Sequence, residues 1–465
     1  MTRALRGLGH AVLVWSMSGC VDSGDKPDDT GTTTDSADSA SCTFEAAAQL
    51  WTDPPTFADV TWVAPGAQNV RVEYGNDTGY GRTATNVGDG VVTIPFLGTA
   101  ADWHFRVTAD IDGAPCTSAD LQLRTDPPPA TLPSLMATIP SPDPGDPTLI
   151  VTSIQGGGAA AVLIDHAGRY AWWHVEEAGI SADRVRGDQA GTGVWVMERT
   201  YSDGVQGRLV HYPWAAPPDE VIPLLNAHHD FTEVHVDGTR LAWLVYEARE
   251  VDGKMIVGDA IHTLGDDGQE HELWNAFDHF PVEENVGWEQ TTYPGMADWT
   301  HANSIEYLPD EDAFLISLHF VPVVVAVSRS TGETLWVFGE GAGFPQDFSF
   351  ANGDPPDEMH SPTLTEQGML MFENGSQDRG ETFVAEFAID WKARSATRRW
   401  RATPTEGTYA YVLGDAERLG NGNTLSTWGN LGMLVEFDAD AEVVWKVNLG
   451  LGTIFGFFNQ YTPPS

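Results

Sequence analysis

Apolar and polar positions alternate along most of this chain in short runs separated by clusters of Gly, Asn, Asp and Pro, the period of half-buried strands rather than helices. Residues 43 to about 127 carry the runs "DVTWVAP", "VRVEYG", "VVTIPFLG", "WHFRVTADI" and "DLQLRT". From about residue 130 onward a longer unit repeats loosely: apolar residues, a polar Gly or Asp turn, then a tryptophan. It ends at Trp173, Trp274, Trp336, Trp400 and Trp445. Between these come hairpins such as "VHVDGTRLAWLV", "IEYLPDEDAFLIS", "LTEQGMLMFENG" and "RLGNGNTLSTWG". Two hairpins per period make a four-stranded sheet, and a tryptophan spacing of about 45 to 65 residues over about 335 residues predicts about six of them. The expected fold is all-β, a six-bladed β-propeller over residues 128–465 preceded by a small β-sandwich over residues 42–127. Helix-length amphipathic runs are scarce, which excludes a TIM barrel or a doubly wound sheet.

Composition narrows the partners. With 465 residues, 42% of them hydrophobic, the chain can bury more than one core. Lys and Arg number 24 against 67 Asp and Glu, a net charge of -43, which opposes nucleic-acid binding because phosphate contact needs a basic footprint. Such acidity reads as a solvated, self-repelling surface. Arg3 and Arg6, the short apolar run "AVLVW" and the small residues of "MSGC" resemble a bacterial lipoprotein signal over residues 1–19, with Met17 where Leu is more usual. That resemblance implies lipidation at Cys20 and a place in the cell envelope, on the periplasmic side of the outer membrane or at the cell surface, held by the lipid alone. Residues 20–41, rich in Asp, Ser, Thr and Gly, read as a flexible acidic tether. Cys42 and Cys116 then remain, and an exported pair most simply forms a disulfide, leaving no catalytic thiol. The strands of residues 42–127 resemble a fibronectin type III sandwich, with Trp62 at its early core position and Trp103 where that family usually has Tyr. A proline-rich linker, "TDPPPATLPS", follows.

Histidines carry the chemistry. His228 and His229 precede one hairpin, His301 in "DWTHANS" the next, and His360 in "MHSP" the one after. In a propeller these equivalent slots on consecutive blades face one another over the central channel. A single histidine there is most simply a cap or a core residue; three in register point to a shared site. Asp230, Asp298 and Glu358 would allow metal ligation beside them, but no HExxH or comparable spacing is present, so neither a metal nor any other cofactor is expected. Acidic turns such as "GDDGQE" lack the loop pattern of a calcium hand.

Five ordered stretches, "HHDFTEVHVDG", "DWTHANSIEYLPDEDAFLIS", "TGETLWVFG", "MHSPTLTEQGMLMFENG" and "RLGNGNTLSTWGNLGMLVEFDADAEVVW", together resemble the bacterial arylsulfotransferases over most of residues 130–450. The resemblance implies a six-bladed propeller that passes a sulfuryl group from an aryl sulfate ester to a phenolic acceptor through a sulfohistidine, in ping-pong order and without a nucleotide donor. It implies His360 as nucleophile, assisted by His301 and by His228 or His229, with Asn303 and Asn374 supporting their loops. The pattern departs at "SLHF", where His319 stands in place of an arginine, exchanging a permanent forked cation for a group charged only at lower pH. Arg379, in "ENGSQDRG", is the candidate to supply that charge, and the C-terminal "FGFFNQYTPPS" lacks a basic residue expected near the closing strand. A non-catalytic lipid-anchored binding propeller, or an aryl sulfate hydrolase, remains the alternative; the natural donor, acceptor and oligomeric state stay open.

Overall fold

A computed structural model describes residues 42–85, 90–156, 158–200, 206–282, 295–450 and 452–463. The signal and tether expected over residues 1–41, Cys20 included, lie outside the described residues. The structure is all-β, with one four-residue α-helix, Ala276–His279, among the described residues. No helix among them is long and apolar enough to cross a membrane.

The N-terminal strands form two sheets. Glu45–Leu50, Ala58–Val63 and Val91–Ile94 make one, and the other is built around the long strand Asp102–Ile111. Inward residues of both, among them Val60, Trp62, Val72, Trp103, Phe105 and Val107, share one core, as alternation along each strand requires. Cys42 and Cys116 are joined by a disulfide between parallel neighbouring strands. Trp103 turns its indole N–H back to the carbonyl of Gly98 at 3.2 Å, satisfying a buried donor locally.

Beyond residue 130 the described strands form six mainly antiparallel sheets, each begun by a strand that borders the middle of the molecule, with the short strands Ala297–Asp298 and Ser349–Phe350 added in parallel. Those border strands are Ile454–Tyr461, Ser181–Gly187, Ala227–Val236, Ala302–Leu308, Met359–Thr365 and Asp415–Arg418, and each contacts the next in a closed succession. Every seam between consecutive sheets holds its own hydrophobic cluster, and the last seam packs Leu425, Leu434 and Trp445 of the sixth sheet on Ile150, Val162 and Tyr170 of the first. The architecture is therefore propeller-like. Both faces of each sheet are covered, so strands such as Val323–Ser328 are apolar and buried at nearly every position rather than alternating. The tryptophans of the sequence repeat lie on the strands Tyr170–Val175, Glu270–Asn275, Thr334–Gly339, Ser395–Ala402 and Val443–Leu449.

The ring is closed twice. Ile454–Tyr461 pairs antiparallel with Leu149–Gln155, adding the C-terminal strand to the first sheet. Leu135–Ile139 pairs with Val443–Leu449, adding an N-terminal strand to the sixth. Phe57 and Phe96, from loops beside the N-terminal strands, enter the seam between the first and second sheets, with Phe96 edge-on to Trp214 at 5.1 Å and to Tyr461 at 5.7 Å.

Candidate functional site

Three consecutive sheets present their histidines by the same local device. The ladder between the first and second strand shifts register between Ala227 and Phe231 in the third sheet, between Ala302 and Ser304 in the fourth, and between His360 and Thr363 in the fifth. A bulge of this kind breaks the pleat and re-aims a side chain. His229, His301 and Ser361 accordingly take positive φ angles of 56°, 50° and 46°, a left-handed conformation that costs a non-glycine residue roughly 1 to 3 kcal/mol.

The rings so aimed form a continuous arc. His229 and His301 stand 5.0 Å apart between ring centroids, His301 and His319 5.8 Å, and His319 and His360 5.1 Å. His319 enters from the loop after Ala313–Leu318, and its backbone N–H binds the carbonyl of His301 at 3.1 Å. Phe457, from the closing C-terminal strand, lies 5.9 Å from His360. His228 sits behind the arc, stacked on Tyr246 at 3.6 Å, with Nδ1 2.8 Å from Nδ1 of His229 and Nε2 3.0 Å from Asp259.

Each ring has a distinct electrostatic setting. His360 is buried, and its Nδ1 meets Oδ1 of Asn374 at 2.5 Å. Both amide hydrogens of Asn374 go to carbonyls, of Ala410 at 2.8 Å and Leu413 at 2.9 Å, so its oxygen can only accept from His360. His360 thus carries its proton on Nδ1 and keeps the Nε2 lone pair. Burial lowers its pKa to about 3 despite the Asn374 bond, so it is neutral at ordinary pH. His301 is opposite in character. Burial disfavours its charge, but the 2.7 Å hydrogen bond to Asp298 and the fields of Asp298 and Asp259 outweigh that and raise its pKa. His229 and His319 are held well below the usual histidine range, first by burial and then by neighbouring imidazoles. Asn303 is fully buried and binds the carbonyl of Met359 at 2.9 Å while accepting from Ser317, tying the His301 loop to the His360 strand.

Arg379 does not join the arc: its guanidinium lies 3.6 Å from Asp357, 3.5 Å from Glu373 and over the ring of Phe383. Beside His319 stands Glu358 at 3.8 Å, a carboxyl pushed up to about 7 by burial and by Asp357. The carboxylates considered for a metal are otherwise engaged, Asp230 by Arg184 and Arg186 and Asp298 by His301. Arg199, which sequence reasoning missed, is the permanent cation whose field reaches His228, His229 and His301. It is buried, ion-paired with Asp183, and lies in the apolar strand "GVWVMERT". An arginine inside such a strand is the signal that could have found it.

Past the arc lies a cavity of about 110 Å³ lined by all six border strands, with Arg184, Arg186, Asp230, Asp415 and Glu417 among its residues. Phe457 touches both sites, lying 5.1 Å from the Arg184 guanidinium. The arrangement offers a buried neutral imidazole with a free lone pair, a neighbouring imidazole inclined to hold a proton, and rings between them able to bind oxygen atoms. Those are the parts of nucleophilic group transfer with general acid assistance.

Solved structures similar to this chain include a periplasmic gluconolactonase from Pseudomonas aeruginosa, 14% identical over 71% of this chain and 100% of that one, with a TM-score of 0.39. Others are a putative 6-phosphogluconolactonase from Bacteroides fragilis (12% identity, 85% and 98% coverage, TM-score 0.35) and virginiamycin B lyase from Staphylococcus aureus (11%, 69% and 98%, 0.36). No activity passes from these likenesses to this chain. No curated protein matches it. The model of the arylsulfotransferase (ASST) family matches residues 145–449, well over half of the sequence, and the chain belongs to that family.

Proposed function

We propose that the protein transfers a sulfuryl group from an aryl sulfate ester to a phenolic acceptor, with His360 as the nucleophile. Family membership makes a sulfotransfer-related activity the starting point. The observation that carries the finer reading is the His229–His301–His319–His360 arc, in which the pKa of His301 is raised and that of His360 lowered.

In the first half-reaction Nε2 of His360 attacks sulfur, an N–S bond forms as the S–O(aryl) bond breaks, and Nε2–H of His301 gives its proton to the departing phenolate. The imidazole becomes cationic, and Asn374 takes up the strengthened Nδ1–H bond. The acceptor phenol then returns a proton to His301 while its oxygen attacks sulfur and releases His360. His229, whose Nδ1 is tied to His228, takes up a proton with the anionic ester and presents Nε2–H to the sulfuryl oxygens, since a nearby anion raises an imidazole pKa. The field of Arg199 supports the same anion, and His319 completes the wall beside His360.

In this reading the six sheets are the blades of a six-bladed propeller, the strands of residues 42–127 are a fibronectin type III-like spacer, and Cys20 carries the lipid that holds the enzyme in the cell envelope. The test is incubation with a chromogenic aryl sulfate, with and without a phenol, from about pH 5 to about pH 9. Turnover that depends on the phenol supports transfer. Phenol-independent turnover supports hydrolysis at the same histidine, and no turnover in the range supports a binding propeller. Loss of turnover in His360→Ala is expected, and retention there would remove it as nucleophile.

A further inference from the structure

We propose that Glu247, His262 and Glu272 form a binding site for one divalent transition-metal ion of the zinc class, separate from the histidine arc. The three residues come from three adjacent strands of the third sheet, Thr239–Val251, Lys254–Gly265 and Glu270–Asn275, and one ligand atom of each lies within 4.8 Å of the others.

His262 is prepared as a ligand. Its Nδ1 bonds Glu270 at 2.6 Å, which fixes the proton on that nitrogen and leaves the Nε2 lone pair free. That Nε2 is shielded from solvent, has no hydrogen-bond partner among the described residues, and stands 3.9 Å from Oε2 of Glu272. A histidine nitrogen left bare while its other nitrogen is held by a carboxylate is the outer arrangement that metal-ligating histidines adopt. Glu272 is held as well, because its Oε2 accepts from Nδ2 of Asn275 at 3.0 Å and keeps a second lone pair.

The spacing suits an ion. Two donors each about 2.1 Å from a zinc ion stand at most about 4.2 Å apart, so the His262–Glu272 pair is already within range and the longer separations close by a small side-chain rotation. Two carboxylates and a neutral imidazole balance a dication, and one nitrogen with two oxygens favours zinc or cobalt over magnesium or calcium, which take all-oxygen sites. Water completes the coordination, and the ion staples three strands of one sheet.

The experiment uses the full chain, stripped with EDTA and titrated calorimetrically with zinc chloride, then with cobalt chloride and magnesium chloride as comparison. One equivalent of zinc bound at His262 is expected, with visible cobalt absorption and a raised melting temperature. His262→Gln and Glu272→Gln each abolish that equivalent, Glu270→Gln weakens it about 10- to 100-fold, and His360→Ala leaves it in place. Zinc uptake unchanged in His262→Gln, uptake lost only in His360→Ala, or no preference for zinc over magnesium overturns the site. Should His262→Gln fail to fold, as judged by circular dichroism in EDTA, Glu270→Gln decides, since it keeps all three ligands.

Discussion

Asn374 is the residue on which the state of the proposed nucleophile depends, and replacing it by alanine tests that dependence. Its side-chain oxygen is the acceptor for Nδ1 of His360 at 2.5 Å and is fully buried. In the proposed reaction the ring of His360 becomes cationic on sulfurylation, so the lost bond is one to a charged group, worth about 1.5 to 3 kcal/mol. If that loss is felt in the transition state, the rate of sulfurylation falls about 10- to 150-fold. Stopped-flow release of the phenolate from a chromogenic aryl sulfate reads this step directly, and the burst amplitude counts the active molecules. The Asn374→Ala variant is expected to keep its burst amplitude and its KM while the burst rate falls. Asn374→Asp restores the acceptor and raises the His360 pKa, so an acid limb enters its pH profile that the wild type, with His360 near 3, lacks over the assay range. A burst rate equal to wild type in Asn374→Ala, or a loss confined to KM, would refute the assigned tautomer and the role built on it.

Replacing Asp298 by Asn removes the partner that raises the His301 pKa; the protonated fraction then falls at higher pH, and kcat measured against pH should show its alkaline limb displaced to lower pH with little change at the acid end. His319→Arg installs a permanent cation beside His360 and is expected to raise kcat/KM for an aryl sulfate about 10-fold or more above neutral pH, measured by steady-state kinetics. Because the folded pKa of His360 is depressed from 6.5 to about 3, the unfolded chain binds more protons between those values. Its contribution is therefore lost as pH falls, by about 2 kcal/mol at pH 5, and denaturant melts near pH 7 and pH 5 should show a smaller acid loss in His360→Gln than in wild type.

Much of this was legible in the sequence because turns and short apolar runs mark hairpins locally. The hairpins around "VHVDGTRLAWLV" and "IEYLPDEDAFLIS" coincide with paired strands, and Cys42 bonds Cys116. The histidines stood out because each precedes a hairpin. What stayed hidden was long-range or electrostatic. Nothing in "IFGFFNQY" says that it pairs with Leu149–Gln155, some three hundred residues earlier, since strand pairing of that reach leaves no periodicity. The choice between His228 and His229 turned on which ring faces His301, which depends on a bulge rather than on composition. Arg379 looked available in the sequence because nothing local shows that its guanidinium turns back on Glu373, the end of the preceding strand, and on Asp357. Arg199 was not singled out in the sequence, since the burial of its strand on both faces is a property of the assembled sheets.

The double seam has a bearing on how the enzyme comes to life. A chain made from its N-terminal end leaves Leu149–Gln155 without its inner companion, and His360 without the aromatic floor of Phe457, until Ile454–Tyr461 has emerged. Polypeptides that stop or are clipped before that strand would hold every imidazole of the arc and still lack a sealed hub, so the proposed sulfuryl chemistry would wait on Ile454–Tyr461.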